Sequence, residues 1–286
     1  MKYYEAVEGF LKHLESIDRS YETIKGYRKE LGYFGRFLEG KYSYEKDVGD
    51  ITIEDLEDYM YYLKKSGKMS ATRSRVVYIF RSFYNYLNKR ELCSKNLAMF
   101  LEPIRVKQTE RIYLSEEEFI LLTGKIDKPI VKVAVQTIFY TGLRVSETVN
   151  LTLDNVDLDE KIIYVIGGKG NKDRVIPICE KLYNILIDYI DNIRPLVDSN
   201  KFFCTKKTGK LSPQYINVIL HKAKDSLKWQ KNVSAHILRH SFASNLIIHN
   251  APLPSVQKLL GHSDLRVTSR YIHQDLEQLK KAVKLL

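Results

Sequence analysis

"KIIYVIGGKGNKDRVIPI", residues 161–178, is where isoleucine and valine crowd into two short runs around a glycine-rich centre. Such runs, "KIIYVI" and "DRVIPI" joined by "GGKGNK", predict a β-hairpin with a pliant tip. They are the only clear strands in the chain. On both sides the apolar residues recur at three and four, the helical period. The chain therefore reads as mainly α with a small β component, the hairpin lying inside the second half as part of a mixed α+β unit.

The first hundred residues are helical throughout. Val7, Phe10, Leu11 and Leu14 form one apolar stripe, and Ile24, Tyr27, Leu31, Phe34 and Leu38 a second. Val76, Phe80, Phe83 and Leu87 line a third, in the long helix around "RSRVVYIFRSFYNYL". Start signals accompany them: Ser20, the Thr52/Asp55 capping box, and Ser70. Residues 1–100 are expected to be a small helical bundle whose tyrosines mostly pack, keeping their hydroxyls wet. "LEPIRVKQTER", residues 101–111, breaks the period with a proline and charges and reads as a linker. Ser115 and Glu118 form another capping box and open a second, separately cored unit at 112–286, with further helices near 180–192, 212–228, 235–248, 252–260 and 275–285.

The chain has 286 residues, 44% of them hydrophobic, and a formal charge of +11. No apolar run approaches the roughly 20 residues that cross a bilayer, and "MKYYEAVEGFLKHLES" lacks a secretory signal's apolar core. A cytoplasmic protein is expected, with no membrane partner. Cys93, Cys179 and Cys204 are scattered, so neither disulfide framework nor zinc ribbon is indicated. The positive charge is segregated. Residues 61–90 carry Lys64, Lys65, Lys68, Arg73, Arg75, Arg81, Lys89 and Arg90 and no acid, while residues 201–240 hold nine Lys and Arg against Asp225. A one-sided positive surface suits a phosphate backbone, and Lys64, Lys65, Arg73, Arg75 and Arg81 are the cations expected to meet it.

Several familiar sites can be set aside. His236 and His240 have zincin spacing, but Ile237 stands where H-E-x-x-H needs its glutamate. "GGKGNK" lacks the phosphate-loop spacing and joins strand to strand. "LDNVDLDE" lacks the calcium-loop pattern and reads as a solvated turn, leaving two-metal phosphodiester chemistry without ligands. What remains is a cationic set. "TGLRVSE" puts Arg144 and Glu147 on one helical face, "HILRH" does the same for His236 and Arg239, and "LGHSDLRVTSRYIH" adds His262 and Tyr271. A phosphodiester attacked without a metal gathers charge on its non-bridging oxygens, and two arginines with flanking histidines can hold that charge. A phenol, about one part in a thousand ionised at pH 7, becomes a usable nucleophile inside such a cluster. The departing 5′-oxygen needs a proton, which Lys169 on the hairpin tip can deliver. Glu147 would orient an arginine or histidine.

Taken in order, "TGLRVSE", the lysine hairpin, "HILRHSFASNL", "LLGHSD" and "RYIH" resemble the tyrosine recombinase (phage integrase-like) family, its short Xer-type members in particular. The resemblance implies a SAM-like core-binding domain followed by the mixed α+β tyrosine-recombinase catalytic domain. It implies Arg144 and Arg239 as the arginine pair, Glu147 as acidic support, Lys169 as general acid, His236 and His262 as the two histidines, and Tyr271 as nucleophile. Double-stranded DNA with a specific site is the implied substrate, cut through a 3′-phosphotyrosyl bond and exchanged through a Holliday junction by a homo-tetramer. That bond conserves the phosphodiester energy, so the resemblance implies no metal, ATP or other cofactor. Resolution of chromosome or plasmid dimers, hence chromosome partition during the cell cycle, is the Xer-like role; DNA integration of a mobile element is the other use of the chemistry. A type IB topoisomerase and a non-catalytic reader of DNA through "SPQYINVILHKAKDSL" are rival readings. The stripe Leu276, Leu279, Val283 and Leu286 in "DLEQLKKAVKLL" suggests a C-terminal helix exchanged between protomers. Asn250 stands where relatives commonly have glycine, and asparagine tolerates the left-handed turn expected there.

Overall fold

A computed structural model describes residues 1–106, 112–166 and 173–261. The hairpin tip with Lys169, and everything from His262 onward, including Tyr271 and the C-terminal helix expected at 275–285, lie outside the described residues. The chain divides into two compact units, Met1–Thr109 and Glu110–Leu286.

The first unit packs α1 (Tyr3–Ser16), α2 (Tyr21–Tyr42), α3 (Ile53–Lys65) and α4 (Ser70–Lys89) around an aromatic centre. The stripes meet there. Phe34 lies 4.8 Å from Phe80 and 5.1 Å from Tyr59, ring centre to ring centre, and Phe10 lies 5.4 Å from Phe83. Each such side chain contributes roughly 1.5–3 kcal/mol by leaving water. Tyr3, Tyr59 and Tyr84 are buried, Tyr3 donating its hydroxyl to the Leu31 carbonyl at 2.9 Å, whereas Tyr21, Tyr61 and Tyr78 are exposed. Ser20 caps α2 by accepting the Thr23 N–H, and Thr52 with Asp55 forms the capping box of α3. Ser70 does not cap α4. It is already the first helical residue, Met69 holds the extended cap position, and no side chain closes that end.

Asp55 does more than cap. Its carboxylate, shielded from solvent, accepts from Lys46 Nζ at 2.6 Å, Lys41 Nζ at 2.8 Å, the Tyr42 hydroxyl at 2.6 Å and the Thr52 N–H at 3.1 Å. Burial pushes the acid up, but these donors outweigh it and hold it well below the ordinary carboxylate range.

In the second unit α5 (Glu116–Thr123), α6 (Pro129–Thr141), α7 (Val145–Asn150), α8 (Glu180–Asp188), α9 (Pro213–Ser226) and α10 (Ala235–Ile248) surround the main apolar core, and α11 (Leu253–Leu260) packs on α10 through a smaller cluster of Ala243, Val256 and Leu260. α8 runs on into a π-helical turn at Tyr189–Ile193. The hairpin is present as β2 (Ile162–Val165) and β3 (Arg174–Pro177), antiparallel, with Ile163 opposite Ile176 and Val165 opposite Arg174. It gains a third strand that the sequence reading lacked. β1 (Val156–Asp157), too short to show an alternating pattern, pairs antiparallel with Ile162–Ile163 to give the order β1-β2-β3. The acidic turn following it is closed by Asp157, which accepts the Glu160 N–H at 2.9 Å. Among the described residues no helix is long and apolar enough to cross a membrane.

Candidate active site

The centre is built from the junction between α6 and α7. Gly142 ends α6 in a left-handed conformation, φ +66°, donating its N–H to the Ile138 carbonyl at 2.9 Å. A Cβ there would fall 2.4 Å from Phe242 Cδ1, so only glycine fits. Two residues later Arg144 caps α7 in extended conformation, and Glu147 turns back to accept its backbone N–H at 2.7 Å. The same carboxylate takes Arg144 Nη1 at 2.7 Å. This is the three-apart pair of "TGLRVSE".

Two further arginines converge on it. Arg174, on β3, forks onto Glu147 with Nη1 3.0 Å from Oε1 and Nη2 2.7 Å from Oε2, and gives Nε to the Leu259 carbonyl at 2.9 Å. Arg239, buried on α10, donates Nη1 to the Gly142 carbonyl and Nη2 to the Leu260 carbonyl, both at 2.6 Å, with Nη1 3.8 Å from Glu147 Oε2. Three guanidiniums around one carboxylate leave two positive charges in excess. Only Arg144 is substantially open, its side chain 26% exposed against 7% for Arg174 and 5% for Arg239. Burial pushes the Glu147 carboxyl up; hydrogen bonds from Arg174 and from the Arg144 backbone and side chain, with the Arg174 charge, overcome this and bring it down to about 2.

α10 starts at Ser234, whose hydroxyl accepts the Ile237 N–H. His236 is exposed on its first turn, one turn before Arg239. His240, its zincin-spaced companion, is buried and placed 3.2 Å from Ser244 Oγ, a packing histidine. Asn250 follows α10 with φ +63°, the left-handed turn expected of it. α11 closes on Gly261, φ +64°, the last described residue before His262. A Cβ on Gly261 would lie 3.1 Å from Arg174 Cδ. Arg144, Glu147 and Arg239 are thus brought together, with His236 on the same helix as Arg239; Lys169, His262 and Tyr271 lie outside the described residues.

Sequence reasoning passed over Arg174. The signal was present in "DRVIPI": alternation places Arg174 on the same face of the strand as the buried Ile176, and a cation on a buried face demands an anion. In the first unit Lys64 and Lys65, exposed at the end of α3, approach the start of α4 through the turn at Gly67, where Arg73 Nε donates to the Lys68 carbonyl. Arg75 is exposed and shares Glu30 at 2.6 Å. Arg81 departs from the expected group: its guanidinium is engaged by the carbonyls of Ala98 and Leu101, at 3.2 and 3.0 Å.

The family model of the phage integrase family matches residues 104–278, and that of its N-terminal SAM-like domain residues 7–93. The chain is 32% identical over 237 residues to tyrosine recombinase XerC of Pseudomonas fluorescens, covering 80% of this chain and 78% of that protein. It is 35% identical over 246 residues to tyrosine recombinase XerC of Caldanaerobacter subterraneus subsp. tengcongensis, covering 82% and 69%. Its fold matches the crystal structure of a lambda integrase tetramer bound to a Holliday junction with a TM-score of 0.79, at 15% identity, over 95% of this chain and 77% of that one. With one family's models spanning both units and curated relatives of that family at 32% and 35% identity, the chain belongs to the phage integrase family and is a tyrosine recombinase, an enzyme that breaks and rejoins DNA strands.

Proposed function

We propose that the chain is a site-specific recombinase of the Xer kind, resolving chromosome or plasmid dimers in the cytoplasm by exchanging strands at paired duplex sites. The observation that carries this is the Glu147 carboxylate set among Arg144, Arg174 and Arg239, an anchored surplus of positive charge open to solvent on the Arg144 side. A scissile phosphate docks there, its non-bridging oxygens held by Arg144 and Arg239 with His236 and His262 adding donors. Tyr271 attacks phosphorus through its oxygen and gives up its proton to a histidine. The bond from phosphorus to the 5′-oxygen breaks, and Lys169 protonates that oxygen as it leaves. A 3′-phosphotyrosyl link remains, and the 5′-hydroxyl of a partner strand reverses the step through a Holliday junction. Lys64, Lys65, Arg73 and Arg75 hold the duplex backbone from the first unit. Four copies assemble on two sites, each lending its C-terminal helix to a neighbour. Identity to the two XerC proteins supports the Xer reading over integration of a mobile element.

The test begins with duplexes selected from a randomised pool by the protein itself. These are nicked at successive positions, incubated with protein, and resolved on a denaturing gel. The wild type is expected to yield a DNA-linked band and Tyr271→Phe to bind equally without one. A Tyr271→Phe protein that still forms the adduct would overturn the assignment of the nucleophile; site-independent relaxation of supercoils would point to a topoisomerase instead.

A further inference from the structure

We infer that Arg174 is a positioning residue for strand cleavage, a strut that fixes the Glu147 carboxylate and the α11 terminus together and so sets the two arginines that hold the phosphate. The inference rests on the reading above. Its geometry does not.

All three guanidinium nitrogens of Arg174 are engaged: Nη1 and Nη2 on the two oxygens of Glu147, Nε on the Leu259 carbonyl. The side chain is 7% exposed and both ends of its fork are held by Glu147, so Arg174 acts through the groups it fixes. The carboxylate it fixes is the one that binds Arg144 through both backbone and side chain. The carbonyl it holds, Leu259, immediately precedes the carbonyl that accepts from Arg239 Nη2. One side chain therefore spans the supports of both phosphate-binding arginines, linking β3, α7 and the end of α11. Gly261 completes the arrangement: any larger residue would press on Arg174 Cδ and Nη1, at 3.1 and 3.2 Å from its Cβ.

A carboxylate gripped at both oxygens cannot rotate, and a bidentate arginine achieves this where a lysine, a point charge, cannot. Without the strut Glu147 still pairs with Arg144 but is free to turn toward Arg239. Displacements of about 1 Å from a site remote from the chemistry cost about 10²-fold in rate. The strut also brings its own charge, so that adding Glu147 does not cancel the cradle.

The experiment uses the full chain with Arg174→Met and Arg174→Lys, the selected duplex at saturation, and the first-order rate of adduct formation. Equal duplex binding serves as the check that each variant is folded, and Arg174→Lys stands in should Arg174→Met lose it. Expected are near wild-type binding, a roughly 10²-fold slower adduct for Arg174→Met, and incomplete rescue by lysine. The same rates are then taken on a duplex with a methylphosphonate at the mapped scissile position, which removes one anionic oxygen. If Arg174 works by setting arginines on a charged phosphate, the penalty there shrinks to less than about tenfold, in line with the smaller charge to be held. An adduct rate within twofold of wild type, or an equal penalty on both substrates, overturns the strut while leaving the proposed function standing. A wild-type protein that forms no adduct overturns the proposed function itself.

Discussion

Arg239 donates its Nη1 proton to the carbonyl of Gly142 at 2.6 Å, joining residues 97 positions apart at the point where α6 gives way to α7. The contact ties the turn that presents Arg144 to the helix that presents Arg239. The spacing between the two arginines is a property of this hydrogen bond and of the carbonyl of Leu260 on the other nitrogen.

Gly142→Ala should therefore damage the site from below. The left-handed backbone costs a non-glycine residue about 1–2 kcal/mol, and the added methyl collides with Phe242, 2.4 Å away, at an overpacking cost of about 1–3 kcal/mol. Thermal unfolding of the catalytic unit is expected to shift down by several degrees, with adduct formation slowed at temperatures where the variant is folded. A melting curve superimposable on that of the wild type would contradict the crowding argument.

Arg239→Lys keeps the charge and loses the fork. One of the two carbonyls, Gly142 or Leu260, is left without its donor, and the planar fork that holds the charge in place between them is gone. Cleavage should fall on the order of 10²- to 10³-fold while affinity for the duplex, dominated by other cations, changes little. Single-turnover gels alongside a binding titration separate the two; equal losses in both would say that Arg239 serves ground-state binding only.

Glu147 titrates at about 2 in the folded chain against an ordinary 4.5. Because its folded value is depressed, the stability it contributes is present above about pH 4.5 and lost as pH falls through about 2. The size corresponds to about 3 kcal/mol. Glu147→Gln should be less stable than wild type near neutrality by roughly that amount, the gap closing toward pH 2. Paired urea melts at pH 7 and pH 3 measure it, and a gap that widens on acidification has the wrong sign for this account.

Asp55 makes the corresponding case in the first unit. Its carboxyl is held below the ordinary 3.8 by Lys41, Lys46, Tyr42 and the Thr52 N–H. The resulting stability is present above about pH 4 and drains away as pH drops further. Asp55→Asn leaves the two lysines facing a neutral group, one of them buried, at a cost on the order of 3 kcal/mol. Hydrogen exchange of the α3 amides in the full chain should accelerate in the variant at pH 7. Unchanged protection would mean that the network is not holding the bundle.

Lys64, Lys65 and Arg81 share a charge but not an environment: the two lysines are exposed, whereas the Arg81 guanidinium is held by the Ala98 and Leu101 carbonyls. Lys64→Ala and Lys65→Ala should each lower the slope of log affinity against log salt by about 1. Arg81→Ala should leave that slope alone and loosen the Ala98 and Leu101 segment, where two carbonyls lose their donor. A salt slope reduced by Arg81→Ala would return that residue to the DNA-facing set.

Much of the fold is local, and so it was readable along the chain. The helices of the first unit follow from apolar spacing and from caps such as Thr52 with Asp55, and the hairpin from two Ile and Val runs about a glycine tip. β1 was not readable, because a two-residue strand has no period and exists only through its pairing with Ile162 and Ile163. At the site, Arg144 and Glu147 belong to one helical turn, so their contact is set by spacing alone.

Linear order alone also determined the class of chemistry: the arginines, histidines, lysine and tyrosine occur in the sequence of the family's signature. Tertiary structure alone decided that Glu147 is shared with Arg174 and Arg239, that the Arg81 guanidinium is taken by the Ala98 and Leu101 carbonyls, and that Gly142 must lack a side chain. These facts depend on distances between segments far apart in sequence. A chain records such partnerships only as residues whose burial has to be compensated, and the compensating partner is chosen when the elements pack.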